Sequence, residues 1–245
     1  MIFKILQNTE FDIITRVILL IALPAIILMS LSIHEYAHGI VSYGLGDPTA
    51  KRMKRLTLNP VKHLNPIGTH CMFLFGFGWA KPVPVDPRYY RNPKKGMALC
   101  GLAGPAINLA VGIKSYVAYC VMVWLAMNSA VLNAIPFIEY VPDMAYIVLA
   151  QLFGIIGYYN ILLAVFNLLP VLPLDGSRLL YAFLPDKYYF GIMKYERVVM
   201  FIMLALLWIG FFDFFIDGAY TLVAGGIERA VYGLLNLILK FVSQQ

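Results

Sequence analysis

Residues 11–46 read FDIITRVILLIALPAIILMSLSIHEYAHGIVSYGLG. The run from Phe11 to Leu31 supplies about 20 largely apolar residues, enough to cross roughly 30 Å of hydrocarbon as a helix. The same stretch continues without a break into His34-Glu35-Tyr36-Ala37-His38. Residues at i and i+4 share one helix face, so both imidazoles can reach a single Zn²⁺ while Glu35 beside them can take a proton from the metal's water. Five positions make a weak pattern in general. Here the pattern uses two of the four histidines and one of five glutamates in the chain, set where ionisable side chains are expensive and therefore functional by default. A structural pair of interfacial histidines is the bland alternative.

Outward from this segment, composition sets the class. Of the 245 residues 61% are hydrophobic and only 13% charged, with mean hydropathy +0.76, which excludes an ordinary soluble protein. Phe11 to Leu31, Met97 to Met127, Met144 to Leu169 and Met193 to Phe212 each read as a membrane span. In Tyr220 to Val242, Ile227, Val231, Leu234, Ile238 and Phe241 make a helical stripe, read as a fifth span rather than an interfacial helix. The expected fold is an all-α polytopic membrane protein of about five transmembrane helices. No small-residue cleavage site precedes His34, so the first apolar run reads as an uncleaved span. Cys71, Cys100 and Cys120 have no metal-type spacing and read as buried thiols.

The net charge of +6 does not call for a nucleic-acid partner, because its distribution has another cause. Ten of the nineteen Lys and Arg lie between Gly46 and Lys95, none between Asn128 and Asp143, four between Arg178 and Arg197, and none from Asp213 to Gly218. By the positive-inside rule the N-terminus is outside and the 46–95 and 170–197 loops are cytoplasmic, in a multi-pass protein of the cell membrane. With five spans the C-terminus is cytoplasmic too. The first helix is expected to run through the histidine motif to Gly44 and Gly46, which puts the motif near the cytoplasmic face. Thr69 to Phe75 and Trp79 to Val85, around Gly76-Phe77-Gly78, read as a short β-hairpin at the membrane edge. That hairpin either offers an edge to an extended substrate or shields the site.

Catalytic zinc takes three protein ligands and keeps one position open, so His34 and His38 need a partner. Candidates are Asp47, His63, His70, Cys71, Asp86 and Asp175. Asp175 stands out because it directly follows the third span in Asn167-Leu168-Leu169-Pro170-Val171-Leu172-Pro173-Leu174-Asp175-Gly176, where an unpaired carboxylate is costly. The third span runs in the same direction as the first, so its end lies at the depth of the histidine pair. Pro170 and Pro173 interrupt the helix, and irregular backbone at that depth is tolerated where it is buried in protein or lines a wet cavity. A plain helix end with an Asp-Gly turn is the competing reading.

With these residues in view the chain resembles the site-2 protease family of intramembrane zinc metalloproteases. The resemblance rests on His34-Glu35-Tyr36-Ala37-His38, on Gly101-Leu102-Ala103-Gly104-Pro105-Ala106-Ile107-Asn108 and on Asn167 through Gly176, in an order that covers about residues 12 to 180. Gly46-Asp47-Pro48-Thr49-Ala50, Leu58-Asn59-Pro60 and Gly78-Trp79-Ala80-Lys81-Pro82-Val83-Pro84-Val85 add similarity to small bacterial members. The resemblance implies one Zn²⁺ per chain held by His34, His38 and Asp175, and Glu35 as the catalytic acid/base. It implies hydrolysis of peptide bonds in or near transmembrane segments of membrane-protein substrates, within the lipid bilayer. Ser177 departs from the second glycine that many members carry after Asp-Gly, which puts the local turn in doubt. The whole chain, 1–245, reads as a single membrane-embedded metalloprotease domain with C-terminal helices over 193–242.

Asn108 and Asn167 lie in spans at the same depth, where an amide donor can stabilise an oxyanion or bind substrate backbone. Helix-packing asparagines are the alternative. Gly101 and Gly104 are expected to permit close helix contact. Two other functions compete with the protease. A polytopic ion or solute transporter would show internal repeats with paired broken helices, and none is detectable. An inactive relative that binds membrane clients would not need Glu35.

Overall fold

The computed structural model describes residues 13–66, 68, 80–128, 143–183 and 195–242. Helix α1, Ile13–Gly44, carries the first apolar run and the histidine motif as one element. It stops at Gly44, and Gly46 takes φ +102°, a left-handed conformation that suits glycine. A short helix α2, Thr49–Arg52, follows. Helix α3, Pro93–Met127, starts where Asn92 accepts the Lys95 N–H and Pro93 fills the first helical position. Helix α4, Asp143–Asn167, leads through a tight loop into α5, Gly176–Phe183. The chain ends in α6, Glu196–Trp208, and α7, Asp213–Val242.

Glycines set how closely these helices approach. A Cβ at Gly112 of α3 would lie 2.7 Å from Ile161 Cγ1 and 3.0 Å from its backbone nitrogen, and one at Gly157 of α4 would lie 3.2 Å from the Tyr116 nitrogen. Gly154 meets Tyr119 in the same way. Contacts that climb α3 from 112 to 119 descend α4 from 161 to 154, so the two helices are antiparallel. Helices α1 and α4 run parallel: Leu19 and Leu23 pack on Ile155, and further along Asn160 donates to Ser30 Oγ at 2.8 Å. This alternation brings the C-terminal half of α1, the first turns of α3 and the loop after α4 to one end of the bundle.

Two expectations need correction. Among the described residues four helices, over Thr15–Gly44, Pro93–Met127, Ala145–Asn167 and Asp213–Lys240, are long and apolar enough to cross a membrane, against the five or so expected. Of the apolar stretch from Met193 to Phe212, the described residues hold the 13-residue α6, about 20 Å of helix, which ends before Gly210 turns the chain at φ +74°. Helix α7 then runs parallel to α3, with Tyr116 donating to Glu228 at 2.7 Å and Trp124 to Asn236 at 3.3 Å. Its end therefore lies at the opposite end of the bundle from the histidine motif, not on the same side as five spans would have put it. The β-hairpin over 69–85 is not supported either. Among the described residues there is no strand, residues 80–85 carry no regular secondary structure, and residues 69–79 lie outside the described residues.

Replacing Gly112 by Val should lower stability in detergent by about 1–3 kcal/mol through overpacking against α4. Gly226, with nothing within 4 Å of an added Cβ, should accept Val with a change of about 0.5 kcal/mol or less. Thermal unfolding of the two purified variants tests this, and equal midpoints would contradict the α3–α4 packing.

Candidate metal centre

His34 and His38 lie one turn apart on the same face of α1, and both are buried. Asp175 reaches them from the loop between α4 and α5. Its Oδ2 lies 2.9 Å from His34 Nε2 and 3.1 Å from His38 Nε2, and the two Nε2 atoms are 3.0 Å apart. Three ligand atoms on tetrahedral zinc with bonds of about 2.0–2.1 Å would be separated by roughly 3.3 Å. The triangle is therefore of the right size, slightly contracted. These three residues form a group able to hold a metal ion.

The donor chemistry fits the same conclusion. His38 Nδ1 sits 2.6 Å from the Cys100 carbonyl, which can only accept, so the Nδ1 carries the proton and a neutral ring presents its Nε2 lone pair to the cluster. Lone pairs of two imidazoles and a carboxylate at about 3 Å repel unless a proton or a cation lies among them. Burial pushes the Asp175 carboxyl up; with a proton in place of the cation, the imidazole that carries it donates to Asp175 Oδ2, outweighs burial and holds the carboxyl below the usual carboxylate range. Arg178 adds a longer ion pair at 3.7 Å to the other oxygen.

Backbone, not side chain, closes the cluster on the α3 side. A Cβ at Gly104 would stand 2.5 Å from His34 Cε1 and 2.6 Å from both Nε2 atoms. Position 104 must be bare for the imidazoles to face their common point. Gly101, a turn earlier, is pressed on the other element: its Cβ would meet the Asp175 carbonyl at 2.9 Å. Gly176 is equally constrained, with the Leu168 and Leu169 carbonyls 2.4 Å from an added Cβ. Ser177, the departure from the family pattern, is accommodated without strain, since its hydroxyl donates to the Leu174 carbonyl at 2.7 Å.

The remaining candidate ligands have other places. Asp47 is fully buried and is a structural hub, accepting from the Ser42 hydroxyl at 2.8 Å, the Thr49 N–H at 2.9 Å and the Asp86 N–H at 2.7 Å. These bonds overcome burial and lower its pKa. Asp86 caps its own turn and pairs with Arg88 at 2.6 Å. His63 is buried with Nε2 at 2.8 Å from the Thr57 carbonyl. His70 and Cys71 lie outside the described residues. Cys100 and Cys120 are buried free thiols.

Glu35, beside the histidines, accepts the Val83 N–H at 2.7 Å. Sequence reasoning missed this partner, as it missed the Cys100 carbonyl behind His38. The available signal was Pro82-Val83-Pro84, where two prolines leave one amide donor in three residues. Asn108 is fully buried one turn beyond Gly104, and neither of its amide atoms has a protein partner. Asn167 instead donates to the Leu163 carbonyl of its own helix at 2.9 Å.

Fold and site together define a multi-pass membrane metalloprotease, and comparison with known proteins agrees. Peptidase family M50 matches residues 22–210. The "Putative zinc metalloprotease YwhC" of Bacillus subtilis (strain 168) is 39% identical over 160 residues, which are 65% of this chain and 67% of that protein. The "Putative zinc metalloprotease Rip2" of Mycolicibacterium smegmatis is 27% identical over 154 residues, 61% of this chain and 52% of that protein. The chain thus spans about two thirds of one relative and half of the other. No solved structure matches. The chain belongs to peptidase family M50. It is a zinc metalloprotease whose fold is membrane-embedded helices.

Gly104→Ala puts a methyl group where the imidazoles converge. The variant should lose most of its zinc while Gly101→Ala, further from the histidines, retains more. Elemental analysis of the purified proteins checks this, and stoichiometric zinc in Gly104→Ala would contradict the geometry.

Proposed function

We propose that this membrane-embedded domain hydrolyses peptide bonds in or near transmembrane segments of membrane proteins, with His34, His38 and Asp175 holding one zinc ion and Glu35 as acid/base. The observation that carries the reading is the convergence of two Nε2 atoms and one Oδ2 within 2.9–3.1 Å of one another beside a helix left bare at Gly104. The chemistry a bound zinc supplies there is Lewis acidity toward a peptide carbonyl and a lowered pKa for water. Glu35 takes the proton of the attacking water and delivers it to the leaving amine. A substrate helix must first unwind, because its peptide groups are already hydrogen-bonded to one another. Asn108, whose buried amide is unpartnered, donates to the carbonyl that gains charge or to the freed substrate backbone. Asn167 serves its own helix end, and we assign it no such role.

The active site faces the cytoplasm and the N-terminus lies outside. Support comes from charge: the ten basic residues of 46–95 lie between α1 and the start of α3, at the cluster's end of the bundle, where Arg178 also pairs with Asp175.

Glu35→Gln should keep zinc near one per chain and lower cleavage of a membrane-tethered reporter by at least about 100-fold. His34→Ala, His38→Ala and Asp175→Ala should lose metal and activity together. Asn108→Ala should keep zinc and lose about tenfold or more in kcat. Full activity in Glu35→Gln, or full zinc without Asp175, would sink the assignment. For orientation, a membrane-impermeant maleimide applied to intact cells should label a cysteine introduced at Asn128 and leave one at Lys62 untouched. The reverse pattern would invert the topology.

A further inference from the structure

Arg55 is a buried guanidinium, 9% exposed, with no carboxylate in ion-pair range among the described residues. A charge removed from water in this way must be compensated, and here the compensation is backbone. Arg55 donates to the Lys81 carbonyl at 2.6 Å and the Pro82 carbonyl at 3.3 Å. The segment it grips is tied at its ends as well, by the Lys81 N–H to the His63 carbonyl at 2.7 Å and the Asp86 N–H to Asp47 Oδ2 at 2.7 Å. Between these ties the flanking prolines offer no N–H, so Val83 presents the single donor of the triplet, and it points at Glu35 Oε2. The Val83 side chain is seated on α1 at Gly39, one turn beyond Glu35, where a Cβ would come within 3.3 Å of Val83 Cγ1.

A glutamate side chain has three rotatable bonds, and a charge-assisted hydrogen bond to one oxygen restricts them while leaving the other oxygen for proton transfer. We infer that Arg55 is a positioning residue for the hydrolysis: through the 80–86 segment it holds the Val83 amide where that amide orients the Glu35 carboxylate. The inference rests on the assignment of Glu35 as acid/base. It adds a residue outside the histidine motif, acting across the backbone of a loop, and it explains why a buried cation stands in the basic segment rather than in water.

The experiment uses the full-length, zinc-loaded protein in detergent with a membrane-tethered reporter. Arg55→Ala and Val83→Pro should each lower kcat about tenfold or more, with KM within twofold and zinc at one per chain. Arg55→Lys, which keeps the charge and a donating ammonium but not the planar fork, should recover part of the loss, and Arg52→Ala, which removes an exposed charge from the same loop, should leave kcat unchanged. Hydrogen exchange of the Val83 amide, followed in ¹⁵N-valine-labelled protein, should be faster in Arg55→Ala and in Glu35→Ala. Wild-type kcat in both Arg55→Ala and Val83→Pro would overturn the inference, as would unchanged Val83 exchange in Arg55→Ala. Loss of zinc in step with kcat would overturn it too, since it makes Arg55 a structural residue. If Arg55→Ala does not fold, Val83→Pro decides alone, with wild-type kcat there counting against the inference. Should Glu35→Gln itself remain active, the acid/base assignment fails first, which separates the two outcomes.

Discussion

Two imidazole nitrogens and one carboxylate oxygen are held about 3 Å apart inside a helical bundle, and most of the architecture is a consequence. Such an arrangement is repulsive without a cation or proton, and in a setting of low dielectric it persists only when the surrounding packing fixes it. The packing here is backbone against side chain. α3 passes so close that position 104 carries no side chain, Gly101 abuts the Asp175 carbonyl, and Gly176 lets the loop after α4 fold under the ends of residues 168 and 169. His38 is locked from behind by the Cys100 carbonyl. The three glycines thus give the cluster its size.

The loop between α1 and α3 is a second layer built on the same logic. Two of its charged residues, Asp47 and Arg55, are buried and not part of the solvated fringe. Asp47 gathers a hydroxyl and two backbone amides, Arg55 gathers two carbonyls, and His63 receives an amide from Lys81 through its own carbonyl. These bonds replace the ladder that a β-hairpin would have supplied to residues 80–85. Prolines at 82 and 84 cannot donate, which explains why this stretch forms no strand, and why the single donor of the Pro82-Val83-Pro84 triplet is left for Glu35.

Helix α7 belongs to a different regime. It packs on α3 through Ala224, Ile227 and Val231 against Tyr116 and Cys120, with Tyr116 also meeting Tyr220 and Glu228, yet much of its apolar surface is exposed, including Leu222, Leu234 and Leu237. In hydrocarbon such exposure costs nothing, because lipid tails are as apolar as leucine. The site end of the molecule is therefore closely packed and glycine-lined, whereas α7 joins the bundle along one face and leaves its other face open.

The sequence by itself determined the class, the histidine pair and the helix that carries it, because hydropathy and an i, i+4 spacing are local properties of the chain. It also singled out Asp175, through the Asn167–Gly176 segment and the direction of the third span, although 137 residues separate it from His38. Other features were beyond it. Hydropathy counts Met193 to Phe212 as a span without registering that Gly210 turns the chain, so about five crossing helices were expected where the described residues show four. Alternating apolar runs suggested a hairpin, while residues 81–86 bond to single groups scattered along the chain, on Glu35, Asp47, Arg55 and His63. Asn108 and Asn167 look alike in sequence, and only packing separates a buried unpartnered amide from one that bonds its own helix. Contacts made by backbone atoms, whether the bare Gly104, the Cys100 carbonyl or the Val83 amide, leave little trace in residue identity, and tertiary structure alone decides where they fall.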